Sequence, residues 1–300
     1  MTEAVQAMFW VKAYAKALRL HQWLKNALIF LPALAAHRLE LPVILFAAQA
    51  FLSFSLTASA VYVLNDRIDL TADRAHPRKR ERPFASGAIP VSHGKWMIAA
   101  LLIAALALAL PLGRDFISVM VLYFAATTTY SFYLKRKLIA DICMLAALYT
   151  VRILAGGVAT NIPLSVWLLA FSMFFFMSLA AIKRQAELVD GVASGVVKAQ
   201  GRGYHVDDLP LVSQMAISSG YVSVMVFALY LNSANVGDLY RNPVLLWGIC
   251  PVLLYWISRM AMIAHRGMMH DDPVVFAVKD RTSQFCGLLV LVFGLTGTLL

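Results

Sequence analysis

The chain has 300 residues, of which 61% are apolar and only 14% charged, with a formal net charge of +10. Soluble domains average about 25% charged residues. Apolar runs that succeed one another from about residue 27 to residue 300 exceed what a soluble core absorbs, and they leave a bilayer as the solvent for most of the chain.

Nine membrane spans are predicted, in one all-α domain over residues 1–300. The first, about 23–36, is short and is entered through an amphipathic stretch, while the second, about 41–64, is strongly apolar. The others fall at about 96–112, 116–134, 139–159, 164–182, 211–231, 243–263 and 283–300. Apart from the first, each approaches the roughly 20 residues that cross hydrocarbon. Residues 1–25 are basic and amphipathic and lack a small-residue cleavage site after an apolar run, so no cleavable signal peptide is expected. Cys143, Cys250 and Cys286 lie scattered in apolar spans, which favours buried apolar packing over a disulfide or a zinc site.

Basic residues divide sharply between alternate loops. Twenty-two of the 26 lysines and arginines fall in the amino-terminal arm or in the loops after spans two, four, six and eight. The opposite side has Arg38, Arg114 and Arg241, and Arg152 alone lies inside a span. The positive-inside rule places the amino terminus and the basic loops in the cytoplasm and the carboxyl terminus outside. Among the acids only Glu40, Asp115 and Asp238 are expected outside. Insertion does not require that bias, so it suggests chemistry on the cytoplasmic face.

The end of span two reads Asn65-Asp66-Arg67-Ile68-Asp69-Leu70-Thr71-Ala72-Asp73. On a continuing helix, spacings of three and four put Asn65, Asp66, Asp69 and Asp73 on one face. Carboxylates stacked this way repel, and oxygen ligands of this kind suit Mg²⁺, which completes its shell with water and substrate phosphate oxygens. The plainer alternative is a solvated helix end paired with nearby arginines. Pro77 is expected to stop the helix, and Arg78, Lys79, Arg80 and Arg82 follow. Beside a metal site such a run suits an anionic phosphate substrate; alone it would be topological decoration or a lipid-headgroup contact. Asp141, Leu145, Tyr149 and Arg152 form one stripe on span five. Asp141 and Arg152 stand roughly 16 Å apart along the axis, too far to pair, and a polar pocket entering the bundle is expected.

These residues resemble a known family. The motif Asn65-Asp66-x-x-Asp69-x-x-x-Asp73, at the end of the second of nine helices, is similar to the first motif of the UbiA-type intramembrane prenyltransferases. The string from Asn65 to Gly87 looks more narrowly like the decaprenyl-phosphate phosphoribosyltransferase branch. So do Gln22-Trp23-Leu24-Lys25-Asn26, Tyr130-Ser131-x-x-Leu134-Lys135, Lys183-Arg184-Gln185-Ala186-Glu187-Leu188 and the segment from His270 to Ala277. In one place the chain departs from the superfamily. Aromatic prenyltransferases carry a second Asp-x-x-x-Asp motif after helix six, whereas here Lys183-Arg184 lead and only Glu187 and Asp190 are acidic.

The resemblance implies a nine-helix UbiA-type bundle and a Mg²⁺-dependent enzyme for cell-envelope glycan precursors. It would join 5-phosphoribosyl 1-diphosphate to a decaprenyl-like polyprenyl phosphate and release diphosphate. Asn65, Asp66, Asp69 and Asp73 would hold Mg²⁺ on the leaving group. Arg78, Arg80 and Arg82 would bind the ribose phosphate and diphosphate. Lys25, Lys183, Arg184 and Arg152 would orient the lipid phosphate, with Asn26, Lys135 and Glu187 also at the substrate. Asp271-Asp272 would either serve the site or cap a loop. An aromatic-acceptor prenyltransferase and a transporter are the competing readings, and no nucleic-acid partner is expected.

Overall fold

The computed structural model describes residues 3–75, 79–195, 202–234, 236–269 and 272–300. His76, Pro77, Arg78, Lys198, His270 and Asp271 lie outside the described residues. Every described element is helical. The chain, expected as one transmembrane domain, divides into two compact units: Met1–Ser131 with Val151–Pro163, and Phe132–Thr150 with Leu164–Leu300.

The first unit holds α1 (Glu3–Leu18), a 3₁₀ helix (Leu20–Phe30), α2 (Leu31–Ala35), α3 (Leu41–Ile68), α4 (Leu70–Ala75), α5 (His93–Ala109) and α6 (Arg114–Phe132). It also takes the second half of α7 (Ala140–Thr160). Pro42 stands in the first turn of α3, where its missing N–H has no helical partner to lose. Small side chains let α3 approach its neighbours: Ala47, Ala50 and Ala60 are fully buried. Its serines also bond outward. Ser53 Oγ donates to the Ala105 carbonyl on α5 at 2.8 Å, and Ser59 Oγ donates to Leu18 O at 2.8 Å. Close approach is therefore joined by hydrogen bonding between elements.

The first expected span takes another form. Arg19 adopts a left-handed conformation (φ 52°) that ends α1, and the next eleven residues form the 3₁₀ helix before Pro32 opens α2. Ile29 is fully buried there, and its carbonyl lies against Gly156 of α7.

The second unit holds the first half of α7, with α8 (Val166–Ala193), α9 (Leu209–Leu231), α10 (Val236–Leu239), α11 (Ile249–His265), α12 (Pro273–Lys279) and α13 (Arg281–Leu299). Ser165 caps α8 by accepting the Trp167 N–H at 3.2 Å. Helices α8, α9 and α11 converge at Gly220, where a Cβ would stand 2.4 Å from Ile257 and 2.9 Å from Ser178 Oγ. Asp280 caps α13 through the Ser283 N–H and takes a two-pronged contact from Arg259 at 2.6 and 3.0 Å. That guanidinium holds the Asp280 carboxyl down at about 2.

Seven helical segments are long and apolar enough to cross a membrane: Leu41–Ile68, His93–Leu112, Ala140–Thr160, Val166–Ala193, Val206–Leu231, Pro243–His265 and Arg281–Leu299. Helix α6 has the length, at 19 residues, but carries three threonines and two tyrosines and is less apolar. The chain is thus an all-helical integral membrane protein. Its outward faces suit lipid: α5 exposes Trp96, Ile103 and Leu106. The three cysteines are free, but Cys143 is exposed, contrary to the burial expected of it.

An alanine Cβ at Gly156 would lie 2.0 Å from a backbone carbonyl, which has no rotamer to yield. Gly156→Ala is expected to cost about 1–3 kcal/mol, the usual scale of overpacking. Gly287→Ala, with nothing within 4 Å, should leave the melting temperature in detergent unchanged or slightly raised.

Candidate active site

Two polar clusters emerge from this apolar frame, one in each unit. In the first, α3 ends at Ile68 and α4 begins at Leu70, with Asp69 between them. The bonds Asp69 N–H to Asn65 O and Asp73 N–H to Asp69 O carry the helical path through the junction. The expected face therefore forms in part. Asp66 and Asp73 are both buried at 2% exposure, and both meet Arg82: its Nη1 lies 3.2 Å from Asp66 Oδ1 and 2.6 Å from Asp73 Oδ2. Arg19 Nη2 reaches the same Asp66 oxygen at 2.5 Å, and its guanidinium sits 4.9 Å above the Tyr62 ring, one turn back on α3. Asp69 is half-buried. Asn65 donates through Nδ2 to Ser131 Oγ at 3.0 Å.

The donor set can be tested for Mg²⁺ directly. Among the described residues no three His, Cys, Asp or Glu side chains group as a metal cage. Two buried carboxylates do face a single cationic nitrogen, that of Arg82. A position that accepts positive charge between two oxygen donors fits Mg²⁺, which typically takes one or two carboxylates and leaves the rest of its shell to water and phosphate. The fit rests on Asp66 and Asp73, with Asp69 between them in sequence.

Of the arginines after this motif, Arg82 belongs to the cluster and Arg80 is exposed in a short 3₁₀ turn, while Arg78 lies outside the described residues. Lys25 and Lys135 are half-buried. Asn26 and Arg152 meet one another inside the first unit. Arg152 Nε donates to Asn26 Oδ1 at 2.8 Å, and Asn26 Nδ2 donates to Ser55 Oγ at 2.9 Å. Arg152 Nη2 donates to Tyr123 OH at 3.0 Å. Both residues are buried and knit the 3₁₀ helix, α3, α6 and α7 together. Desolvated groups must find partners inside, and here each of the two found the other.

The second cluster is built on α7 and α8. Arg184 is fully enclosed, with Nη2 2.7 Å from Asp141 Oδ2 and Nη1 against the Glu187 carboxylate. Arg202 adds a second guanidinium, 3.1 Å from Asp141 Oδ1. Tyr204, also interior, lies under Arg184 with its ring centroid 5.5 Å away. Its hydroxyl accepts the N–H of Ile139, a β-branched residue held at φ 62°. Burial pushes the Tyr204 phenol up, against the opposing pull of that N–H. Arg184 thus meets Asp141 and Glu187, itself buried while the Glu187 side chain stays 37% exposed.

Lys183 behaves otherwise. It stays half-buried and reaches Asp272 Oδ2 at 2.9 Å. Sequence reasoning missed Arg19, Arg202 and Tyr204. Each lies 47 or more positions from the acid or amide it serves, and no local spacing marks it.

Long apolar helices with charged clusters at and between their ends define a polytopic membrane protein with a built polar site. The model of the UbiA prenyltransferase family matches residues 27–267, and the chain belongs to that family. It is 38% identical to the nodulation protein NoeC of Azorhizobium caulinodans over 94% of this chain and 92% of that one. It is equally similar to an uncharacterized protein of Sinorhizobium fredii, of which it spans only 55%. It is 40% identical to the decaprenyl-phosphate phosphoribosyltransferase of Mycolicibacterium smegmatis, over 91% of this chain and 88% of that one. Among solved structures, a UbiA homolog from Archaeoglobus fulgidus bound to GPP and Mg²⁺ shares the fold. It has a TM-score of 0.69 at 15% identity, over 95% of this chain and 98% of that one.

Removing one partner of a buried ion pair strands the other, at a cost of about 3–5 kcal/mol. Asp141→Ala should therefore lower the melting temperature in detergent markedly. Asp141→Leu combined with Arg184→Met, which removes both charges, should recover most of the loss. A single Asp141→Ala with wild-type stability would contradict the pairing.

Proposed function

We propose that the protein transfers 5-phosphoribose from 5-phosphoribosyl 1-diphosphate to a long-chain polyprenyl phosphate, releasing diphosphate. The observation that carries this reading is the character of the second site. Where aromatic prenyltransferases have an acidic pair, this chain presents the Lys183 ammonium, held by Asp272. An ammonium suits a phosphate monoester and does not organise a second magnesium. The 40% identity to a protein named for this activity supports the same branch.

Asp66, Asp69 and Asp73 would hold Mg²⁺. The metal, when bound, offsets the negative charge of the leaving diphosphate. Arg82 and Arg80 would take diphosphate and ribose-phosphate oxygens, because a guanidinium fork matches paired phosphate oxygens. Lys183, with Lys25 and Lys135, would steer the lipid phosphate. That group is already an anion, so no general base is required. Its oxygen forms the new bond to ribose C1 as the bond from C1 to diphosphate breaks, and charge at the oxocarbenium-like C1 is matched by anionic oxygens on both sides. Asn26, Arg152 and Arg184, buried among their partners, would support the site by holding the helices in place.

Nine membrane crossings, with the amino terminus and both clusters on the cytoplasmic side and the carboxyl terminus outside, complete the proposal. The distribution of basic residues supports it. In a background lacking the native cysteines, including exposed Cys143, cysteines at Arg80 and Lys279 should be labelled from the cytoplasmic side only. One at Asp238 should be labelled from outside only. Labelling of Arg80 and Lys279 from opposite faces would end this topology.

Activity is tested on purified protein in detergent. Labelled phosphoribosyl diphosphate with polyprenyl monophosphate should give a lipid-soluble product that EDTA abolishes and Mg²⁺ restores. A prenyl diphosphate with a hydroxybenzoate should give none. Asp69→Asn should remove at least 100-fold of the turnover, about 2.7 kcal/mol, while leaving the protein folded. Asp66→Asn should remove as much and also lower the melting temperature, because Arg19 and Arg82 lose their buried carboxylate. Prenylated aromatic acid without phosphoribosyl lipid would refute the assignment.

A further inference from the structure

Asp272 sits at a junction of three elements in the second unit. It is the N-cap of α12, where Oδ1 accepts the Val274 N–H at 3.2 Å. The same oxygen accepts the Tyr149 hydroxyl at 3.3 Å from α7. Its other oxygen, Oδ2, takes the Lys183 ammonium at 2.9 Å from α8. Tyr149 is buried and stacks on Phe176 of α8 at 4.9 Å between ring centroids, two turns before Lys183. The Asp272 side chain is itself only 9% exposed, while that of Lys183 is 30% exposed.

The two oxygens are divided between jobs. Capping and the tyrosine contact both fall on Oδ1, and an amide oxygen performs them equally well, since Asn and Asp are equivalent N-caps. Oδ2 takes the Lys183 ammonium. An ammonium has three donors, and Asp272 is its one hydrogen-bond partner among the described residues. A long, flexible side chain is thereby fixed at its tip with two N–H groups left over and a partly open surface.

We propose that Asp272 is a positioning residue: with Tyr149 and the α12 cap holding its carboxylate still, it aims the Lys183 ammonium so that the two remaining donors receive the phosphate monoester of the lipid substrate. The inference rests on the proposed phosphoribosyl transfer for the role of Lys183. A capping residue alone needs no charge. A positioning residue does, because replacing Oδ2 with an amide nitrogen sets a donor against a donor and releases the lysine.

The experiment is a cycle of Asp272→Asn, Lys183→Met and the double variant in full-length protein. Melting in detergent, turnover with phosphoribosyl diphosphate, and direct binding of farnesyl monophosphate are measured on each. Asp272→Asn should keep the wild-type melting temperature and raise the KM for lipid phosphate about tenfold, the effect of one charge-assisted hydrogen bond. The KM for phosphoribosyl diphosphate should be unchanged. In the Lys183→Met background the same substitution should have no further effect on KM or on binding. An Asp272→Asn variant with wild-type KM and binding would reduce Asp272 to a cap. Equal losses from Asp272→Asn with and without Lys183 would also overturn the proposal. If wild-type protein fails to form phosphoribosyl lipid, the reaction assignment falls; the coupling is then judged on farnesyl monophosphate binding alone, with the same outcomes deciding it.

Discussion

An arginine inside a helical bundle has no water to solvate it, and the cost of leaving it so exceeds the stability of most proteins. Arg184 meets that constraint with two carboxylates, Asp141 from the preceding helix and Glu187 one turn along its own. Asp141 then requires a second cation, which Arg202 brings from beyond the end of α8. The chain that delivers Arg202 also delivers Gly203, whose Cα packs so closely on the Arg136 carbonyl that a Cβ would stand 2.5 Å away, and Tyr204, which receives the Ile139 N–H. One buried charge thus fixes how residues 202–204 lie against the start of α7. It also separates Arg184 from Lys183, its neighbour in sequence but not in environment.

The same rule arranges the first unit with different chemistry. Asp66 is the charge that must be matched, and two arginines from opposite directions in sequence, Arg19 and Arg82, match it. Arg19 stands just where α1 gives way to the 3₁₀ helix, in a left-handed conformation that a straight continuation of α1 would forbid. The break in the helix and the placing of the guanidinium are one event.

Much of this was legible in the sequence, and the boundary is physical. Periodicity on one helix reports neighbours on that helix. The spacing of Asp66 and Asp73 correctly brought two carboxylates together, and the long apolar runs located the long helices. Periodicity does not report which helix faces which. The stripe of Asp141 and Arg152 suggested a shared polar pocket, yet Asp141 pairs with Arg184 and Arg202, and Arg152 with Asn26 and Tyr123. The resemblance makes Lys183 and Arg184 a pair of substrate cations, but adjacent residues on a helix share no face, and packing turns Arg184 inward while Lys183 stays half-buried. The first span misled for a local reason. Its apolar content suggested an α-helix, but Asn26 bonds inward to Ser55, and Pro32 interrupts the ladder.

The hydroxyl groups of the long helices bear on how such a bundle comes together. Thr57 bonds to Ser53 O, Thr127 to Tyr123 O and Ser219 to Met215 O, each four residues back on its own helix. A hydroxyl bonded this way enters lipid with its donor already satisfied by its own backbone. Ser53 and Ser59 instead bond to backbone carbonyls of other elements, Ala105 and Leu18, and Ser178 does the same with Ala216. The two arrangements differ by a single rotation about χ1. A serine-bearing helix can therefore cross the bilayer self-contained and afterwards exchange an internal bond for an external one, with no donor left open along the way. Association of α3 with its neighbours is then a trade of equivalent bonds, selected by geometry and nearly free of desolvation cost.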